Sequence, residues 1–232
     1  MSNELISAVA VSKHFGRVNA LNNVSLTIGA GETVAVMGPS GSGKSTLLHC
    51  LSGVLVPDSG EVLFASRPFS TLSDSQRSHT RLGSFGFIFQ DGQLLEELTA
   101  RENVALPLML KGTPRGKALN SADAALARLG LTDQRNRRPG DMSGGQAQRV
   151  AIARALAVKP AVVFADEPTG ALDQTTGAEV MQELIMAVQT TGCSLVVVTH
   201  DPTVAGWCSR LVEIRDGRVH ADRALSASGE ER

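Results

Sequence analysis

Gly38-Pro39-Ser40-Gly41-Ser42-Gly43-Lys44-Ser45 is the stretch that decides the fold. It fits G-x-x-x-x-G-K-[ST] at every fixed position. It lies between an aliphatic run, Thr33–Met37, and a segment that sets Leu47, Leu48 and Leu51 on one helical face. Glycines let backbone N–H groups curl around a phosphate without Cβ clashes, and the helix that follows aims its positive end at the same anion. Lys44 supplies a point charge for β- and γ-phosphates, and Ser45 a hydroxyl for Mg2+. A chance glycine turn with a lysine would not satisfy all four fixed positions between a strand and a helix.

Working outward, residues 5–11, 24–28, 61–64 and 86–89 predict strands, and Gly29-Ala30-Gly31 a turn. From about 91 to 160 the pattern changes to helices. Ser121 is the expected cap of a helix carrying Leu126 and Leu129 and ended by Gly130; residues 111–115 read as a loop, and Pro107 should kink or end the helix around 103–110. After Pro160 strands resume at 161–165 and 194–199. Between them Val180, Met181, Leu184, Ile185 and Val188 form a helical stripe ended by Gly192. Residues 211–214 and 218–220 flank Asp216-Gly217, a two-residue hairpin signal. Buried aliphatic strands alternating with helices predict an α/β fold: a mostly parallel sheet core with an antiparallel β edge and an inserted α-helical subdomain. The expected division is a first part of the core over 1–90, a helical subdomain over 91–160, and the second part of the core over 161–232. The tail from Ser226 to Arg232 is expected to fray.

A phosphate site that hydrolyses needs a metal anchor and a way to activate water. The strand at 161–165 ends in Asp166-Glu167, and successive residues at a strand end point in different directions. Asp166 fits a Mg2+ partner, acting through water, and Glu167 the general base. An Asp-Glu pair after a strand is on its own an ordinary solvated loop; the complete phosphate loop changes its meaning. The strand at 194–199 ends in His200, which a parallel sheet would bring to the ligand-binding edge, to touch a γ-phosphate or orient the base. Met142-Ser143-Gly144-Gly145-Gln146 opens another helix, and a Ser-Gly-Gly turn there is a second anion site or a plain N-cap. One nucleotide has one terminal phosphate, which Lys44 already serves. The second turn makes sense if two chains pair head to tail, each offering Ser143 to the other's nucleotide.

The 232 residues carry 22 Lys plus Arg against 23 Asp plus Glu, so there is no basic excess with which to grip a nucleic acid. Hydrophobic residues at 42% suffice for a core, and no apolar run approaches the ~20 residues that span a bilayer. The N-terminus lacks signal-peptide character. Three widely spaced cysteines, Cys50, Cys193 and Cys208, argue against a disulfide framework or zinc site and for reduced core residues. A cytoplasmic protein is the expectation.

Taken as a set, these motifs resemble the nucleotide-binding subunit of ABC transporters over nearly the whole chain. Met142 to Gln146 is similar to that family's signature, with Met where Leu is usual. Phe89-Gln90 resembles the Q-loop, Gly170-Ala171-Leu172-Asp173 the D-loop, and His200 the switch histidine. Phe15 resembles the adenine-stacking aromatic, normally Tyr, in a chain that has no Tyr; it also fits an ordinary core position. The resemblance implies a RecA-like P-loop NTPase with ATP and Mg2+ as cofactors. It implies nucleotide contacts at Phe15, Gly38 to Thr46 (Pro39, Ser40, Gly41, Ser42, Gly43, Lys44 and Ser45 between), Ser143, Gly144, Gly145, Gln146 and Asp173. Metal contacts fall at Ser45, Gln90 and Asp166, and catalytic roles at Glu167, His200 and Gln90.

A finer likeness, carried by residues 86–90, 98–104 and 165–170, is to the macrolide-exporter, lipoprotein-release, antimicrobial-peptide and haem exporter ATPases. It implies a homodimer driving two copies of a separate membrane permease, peripheral on the inner face of the membrane, with docking near residues 91–104. Leu94, Leu95 and Leu98 would be the anchors there, with Glu96 or Glu97 pairing with basic residues; the same stretch also fits an ordinary surface loop. The cargo expected is an amphiphile. A division-type ATPase acting on a cell-wall hydrolase has the same cassette. A soluble ABC ATPase of repair or translation fits less well, lacking the second cassette or coiled-coil insertion.

Overall fold

The computed structural model describes residues 4–225, so the tail expected to fray lies outside the described residues. The chain divides into two compact units, one from residues up to Arg81 together with those from Ser194 on, the other from Leu82 to Cys193.

In the first unit, β1 (Glu4–Phe15) pairs antiparallel with both β2 (Val18–Gly29) and β4 (Ser59–Phe64), and a short β5 (Arg67–Pro68) extends the sheet. The largely apolar β3 (Thr33–Met37) lies between β8 (Ser194–Val198) and β9 (Arg210–Arg215), parallel to each. Apolar strands suit such a position because both faces are covered, and every residue of β8 is buried. The turn at Asp216-Gly217 then returns the chain antiparallel as β10 (Arg218–Ala224). Both turn residues have positive φ, 48° and 70°, as a two-residue hairpin that matches strand twist requires. Helix α1 (Lys44–Leu51) is the next element after β3, with Leu47, Leu48 and Leu51 buried as the spacing predicts.

In the second unit, β6 (Phe85–Phe89) and β7 (Val162–Asp166) pair parallel in the register Phe89↔Asp166. Three helices, α3 (Ala100–Leu110), α4 (Arg115–Arg128) and α5 (Gly144–Ala157), share a core of small residues. Ala100, Ala105, Ala118, Ala122 and Ala153 are fully buried or nearly so, with Val104, Leu126 and Val150 filling between them. Alanine at these positions lets helix axes approach closely. The long α6 (Gln174–Thr191) buries the predicted stripe and ends on Gly192 at φ 67°, the left-handed C-cap that glycine supplies without a Cβ penalty.

One local expectation changes, and the structure adds two details. Helix α4 starts at Arg115 behind Pro114, so Ser121 lies inside it rather than capping it. Helix α3 passes through Pro107 and continues to Leu110; a proline there removes one backbone bond, and a capping box at Thr99 and Glu102 secures the other end. Two further helices, α2 (Asp74–Ser84) and α7 (Pro202–Gly206), have no apolar stripe to announce them; α2 buries no residue at all.

Candidate functional site

In the first unit the phosphate loop joins β3 to α1, with Gly38, Gly41 and Gly43 at φ 148°, 76° and 105°. At two of these a side chain has no room: a Cβ on Gly38 would run into the carbonyl oxygen of Ile214, and one on Gly43 into that of Ala20. The loop is therefore packed against backbone behind it, which leaves its other side for an anion. Lys44 is nearly buried, and its Nζ donates to the carbonyls of Gly38 and Pro39, each at 2.9 Å. That is a curled loop closed over a cation. No side chain caps α1 at Gly43, and Ser42 Oγ is buried with no hydrogen-bond partner. Buried polar atoms are normally satisfied, so this orphan hydroxyl beside an uncapped helix start fits a bound phosphate oxygen.

The loop is propped from a direction the sequence did not announce. The Gly217 N–H donates to the Ser42 carbonyl at 3.0 Å, and the Asn22 N–H donates to the Gly217 carbonyl at 2.8 Å. The hairpin turn was visible in the sequence; its role as a buttress was not. His200 follows β8, whose register pairs Val198 with Val36 beside the phosphate-loop end of β3. The expected shared edge is thus present in this unit. Phe15 ends β1 and is 50% exposed, so it is no core residue. Lys13 Nζ lies 5.9 Å from its ring centroid, and Asp58 fixes that lysine at 2.8 Å. The same carboxylate accepts the His14 backbone N–H at 2.7 Å. The Lys13 hydrogen bond first, then that of His14, hold the exposed Asp58 carboxyl down at about 2.

In the second unit, the register of β6 and β7 brings Gln90 alongside Asp166 and Glu167. Gly170 turns so close to Gln90 that a Cβ there would lie 2.9 Å from Nε2. The Gly170 N–H closes the turn onto the Glu167 carbonyl at 3.0 Å. Glu167 itself has φ 47°, a left-handed backbone that costs a non-glycine residue about 1–2 kcal/mol. Strain of this kind concentrates where a side chain must be aimed.

The Ser143 turn is a capping box: Ser143 Oγ accepts the Gln146 N–H at 3.3 Å, and Gln146 Oε1 accepts the Ser143 N–H at 3.1 Å. Gly144 and Gly145 face the segment after Glu167. A Cβ on Gly144 would lie 3.0 Å from Leu172 Cδ2, and one on Gly145 2.6 Å from Thr176 Cγ2. Asp173 caps α6 by accepting the Thr176 N–H at 3.0 Å, and that backbone bond lowers its carboxyl from the ordinary value. Thus Gln90, Asp166, Glu167, the Ser143 turn and Asp173 belong to one unit, and the phosphate loop, Phe15 and His200 to the other.

Among the described residues no group of three or more His, Cys, Asp or Glu could hold a metal ion. Mg2+ on a nucleotide needs no such cage, since it takes one or two protein ligands and fills the rest with phosphate oxygens and water. The first unit offers the Ser45 hydroxyl at the start of α1, and the second the Asp166 carboxylate at the end of β7, each an oxygen of the type such an ion takes.

Phosphate loop, strand-end carboxylates and glycine-led helix together define a P-loop NTPase with an ATP-binding cassette. The ABC transporter family model matches residues 21–170, and the chain belongs to that family: it is an ABC-type ATPase. It is 45% identical over 223 residues to the macrolide export ATP-binding/permease protein MacB of Nitrosomonas europaea, which covers 94% of this chain and 34% of that protein. The chain therefore spans about a third of that relative's length. It is 42% identical to the lipoprotein-releasing system ATP-binding protein LolD of Geobacter metallireducens, over 94% of this chain and 99% of that one. Among solved structures, the dimeric post-hydrolysis state of the ATP-binding cassette MJ0796 bound to ADP and Pi matches with a TM-score of 0.87 at 40% identity. That match covers 96% of this chain and 99% of that one.

Proposed function

We propose that this chain binds and hydrolyses ATP with Mg2+ as the motor of an export transporter, working as a homodimer on two copies of a membrane permease. The observation that carries the reading is the phosphate loop: Lys44 curled over its own carbonyls, an uncapped helix start and the orphan Ser42 hydroxyl. In this reading Gly38 to Thr46 hold the phosphates, Phe15 stacks on the base, and Ser45, Asp166 and Gln90 serve the metal. Glu167 takes the proton of the attacking water and His200 contacts the γ-phosphate. Ser143, Gly144, Gly145 and Gln146, with Asp173, close on the nucleotide of the partner chain. The dimeric solved relative supports pairing, and the names of the relatives, a macrolide and a lipoprotein system among them, support an amphiphilic cargo.

The helical region, taken as residues 91–160 between core segments 1–90 and 161–232, carries the surface near 91–104 on which the permease docks. No helix among the described residues is long and apolar enough to cross a membrane. In this reading the chain is attached to the inner face of the membrane through the permease.

The test is Glu167→Gln. It should leave MgATP binding intact while lowering turnover by the ~10²–10⁴-fold expected of general-base loss, and ATP should trap a dimer detectable by gel filtration. Near-normal turnover of the purified variant would remove Glu167 from the role.

A further inference from the structure

Helix α5 does more than present the Ser143 turn; it also grips the segment that carries Gln90. Gln148, 3% exposed, donates from Nε2 to the Phe89 carbonyl at 3.0 Å, and its Oε1 lies 3.2 Å from where a Cβ on Gly92 would be. Six residues further along the same helix, Arg154 spreads its two terminal nitrogens over the Gly92 and Gln93 carbonyls, each at 2.7 Å. Gly92 and Gln93 both have positive φ, 69° and 42°. A left-handed pair including a non-glycine residue persists only where neighbours hold it. The hydrogen bonds of the Arg154 guanidinium go to these two carbonyls, and burial lowers its pKa. A desolvated charge spent on two backbone carbonyls is a costly way to close a loop that water could satisfy. The planar fork suits it, because one rigid group fixes both carbonyls at once.

We infer that Arg154, with Gln148, is a positioning residue that makes the Gln90 segment travel with helix α5, so that anything bound at the Ser143 turn is felt at Gln90. The inference rests on the proposed roles of Gln90 and the Ser143 turn. Those roles require the two to act together; the strap supplies a physical link between them inside one unit. The link runs from the capping box at one end of the 14-residue helix to the guanidinium near its other end. A helix is stiff over that length, so a displacement of its first turn reaches Arg154 with little loss.

Hydrogen exchange followed by mass spectrometry on the full-length chain, with and without MgATP, tests this in a Glu167→Gln background that prevents turnover. With Arg154 intact, ATP should slow exchange both at residues 143–147 and at 89–94. In Arg154→Ala the first segment should still be protected, while the second loses most of its ATP-dependent protection. Arg154→Lys, which keeps the charge but not the fork, should fall between. With Glu167 restored, Arg154→Lys should lower kcat by about tenfold while the Kd for ATP moves less than about threefold, because two charge-assisted bonds become one at most. Gln148→Ala provides a second cut in the strap should Arg154→Ala unfold, and it should show the same separation of the two segments. Equal ATP protection of both segments in all variants overturns the strap and leaves the proposed function standing. If ATP protects neither segment even with Arg154 and Gln148 intact, the roles assigned to Gln90 and Ser143 fail, and the strap with them.

Discussion

Replacing Gly145 by alanine sets two opposing quantities against each other. In an unobstructed helix alanine is better than glycine by about 1 kcal/mol. Here the new Cβ would lie 2.6 Å from Thr176 Cγ2, about 1 Å inside the ~3.5–4.0 Å at which two carbons attract. Thr176 is β-branched, and its N–H is tied to the Asp173 carboxylate at 3.0 Å, so its methyl cannot swing aside freely. Overpacking of this kind costs about 1–3 kcal/mol. The net is a loss of roughly 0–2 kcal/mol once the helix gain is subtracted. Thr176→Ser removes the obstructing methyl and keeps the backbone bond. The double variant should therefore be more stable than Gly145→Ala alone, with a coupling of about 1–2 kcal/mol.

Urea unfolding of the four proteins, followed by far-UV circular dichroism, measures that cycle. Single effects that add to within about 0.5 kcal/mol refute the close packing of the Ser143 turn on α6. Gly144→Ala is the companion. Its Cβ would meet only the flexible end of Leu172, at 3.0 Å, so stability should hold or rise. Turnover should nevertheless fall if this turn closes on a phosphate. Full activity in a stable Gly144→Ala protein would mean that no anion comes near.

Three further outcomes are expected. The folded-state pKa of Asp58, about 2, lies below its ordinary 3.8; the stability it contributes is present above about pH 4 and is lost as pH falls towards 2, so Asp58→Asn should flatten the acid limb of a stability-versus-pH curve. Burial raises the thiols of Cys50 and Cys193 to about 11 and that of Cys208 to about 12, so a thiol reagent at pH 8 should find all three only after denaturation. In the segment proposed for docking, Leu95 is 45% exposed whereas Leu94 packs on the helical core. Leu95→Ala should therefore weaken permease binding in a pull-down, while Leu94→Ala lowers stability by about 1–2 kcal/mol instead.

The segment from β3 through α1 could be read from the sequence residue for residue because its signals are local: an aliphatic run, glycines at fixed spacing, then leucines on one face. The Asp216-Gly217 hairpin and the Gly192 stop were equally plain. The start of helix α4 is not marked in the sequence because its buried face is Ala118, Ala122 and Leu126. That spacing is helical, but alanine is too weak a hydrophobe to stand out, and Ser121 offered a more familiar cap. Helix α2 offered no stripe at all. It is held instead by arginine bonds, Arg77 to the Leu72 carbonyl and Arg81 to that of Gly53, which no periodicity encodes.

At the site the division follows a different line. Groups proposed to touch phosphate or metal are constrained in residue type, so Lys44 and Ser45 can be picked out from spacing, and Asp166 and Glu167 from their place at a strand end in a chain that carries that loop. Groups that hold those residues in place are constrained only in geometry. Gly217 under Ser42, Gly170 against Gln90, and Arg154 over Gly92 and Gln93 each lie far from their partners in sequence. Their chemistry is a backbone bond or a missing Cβ, which many residues elsewhere in the chain could also provide. The left-handed backbone of Glu167 belongs with them: nothing in Asp-Glu-Pro-Thr-Gly signals a φ of 47°, yet that angle sets where the carboxylate points. A motif therefore identifies which atoms are available for the chemistry. Their aim is decided by supports, and a substitution at Arg154 should disturb catalysis while leaving every motif residue in place.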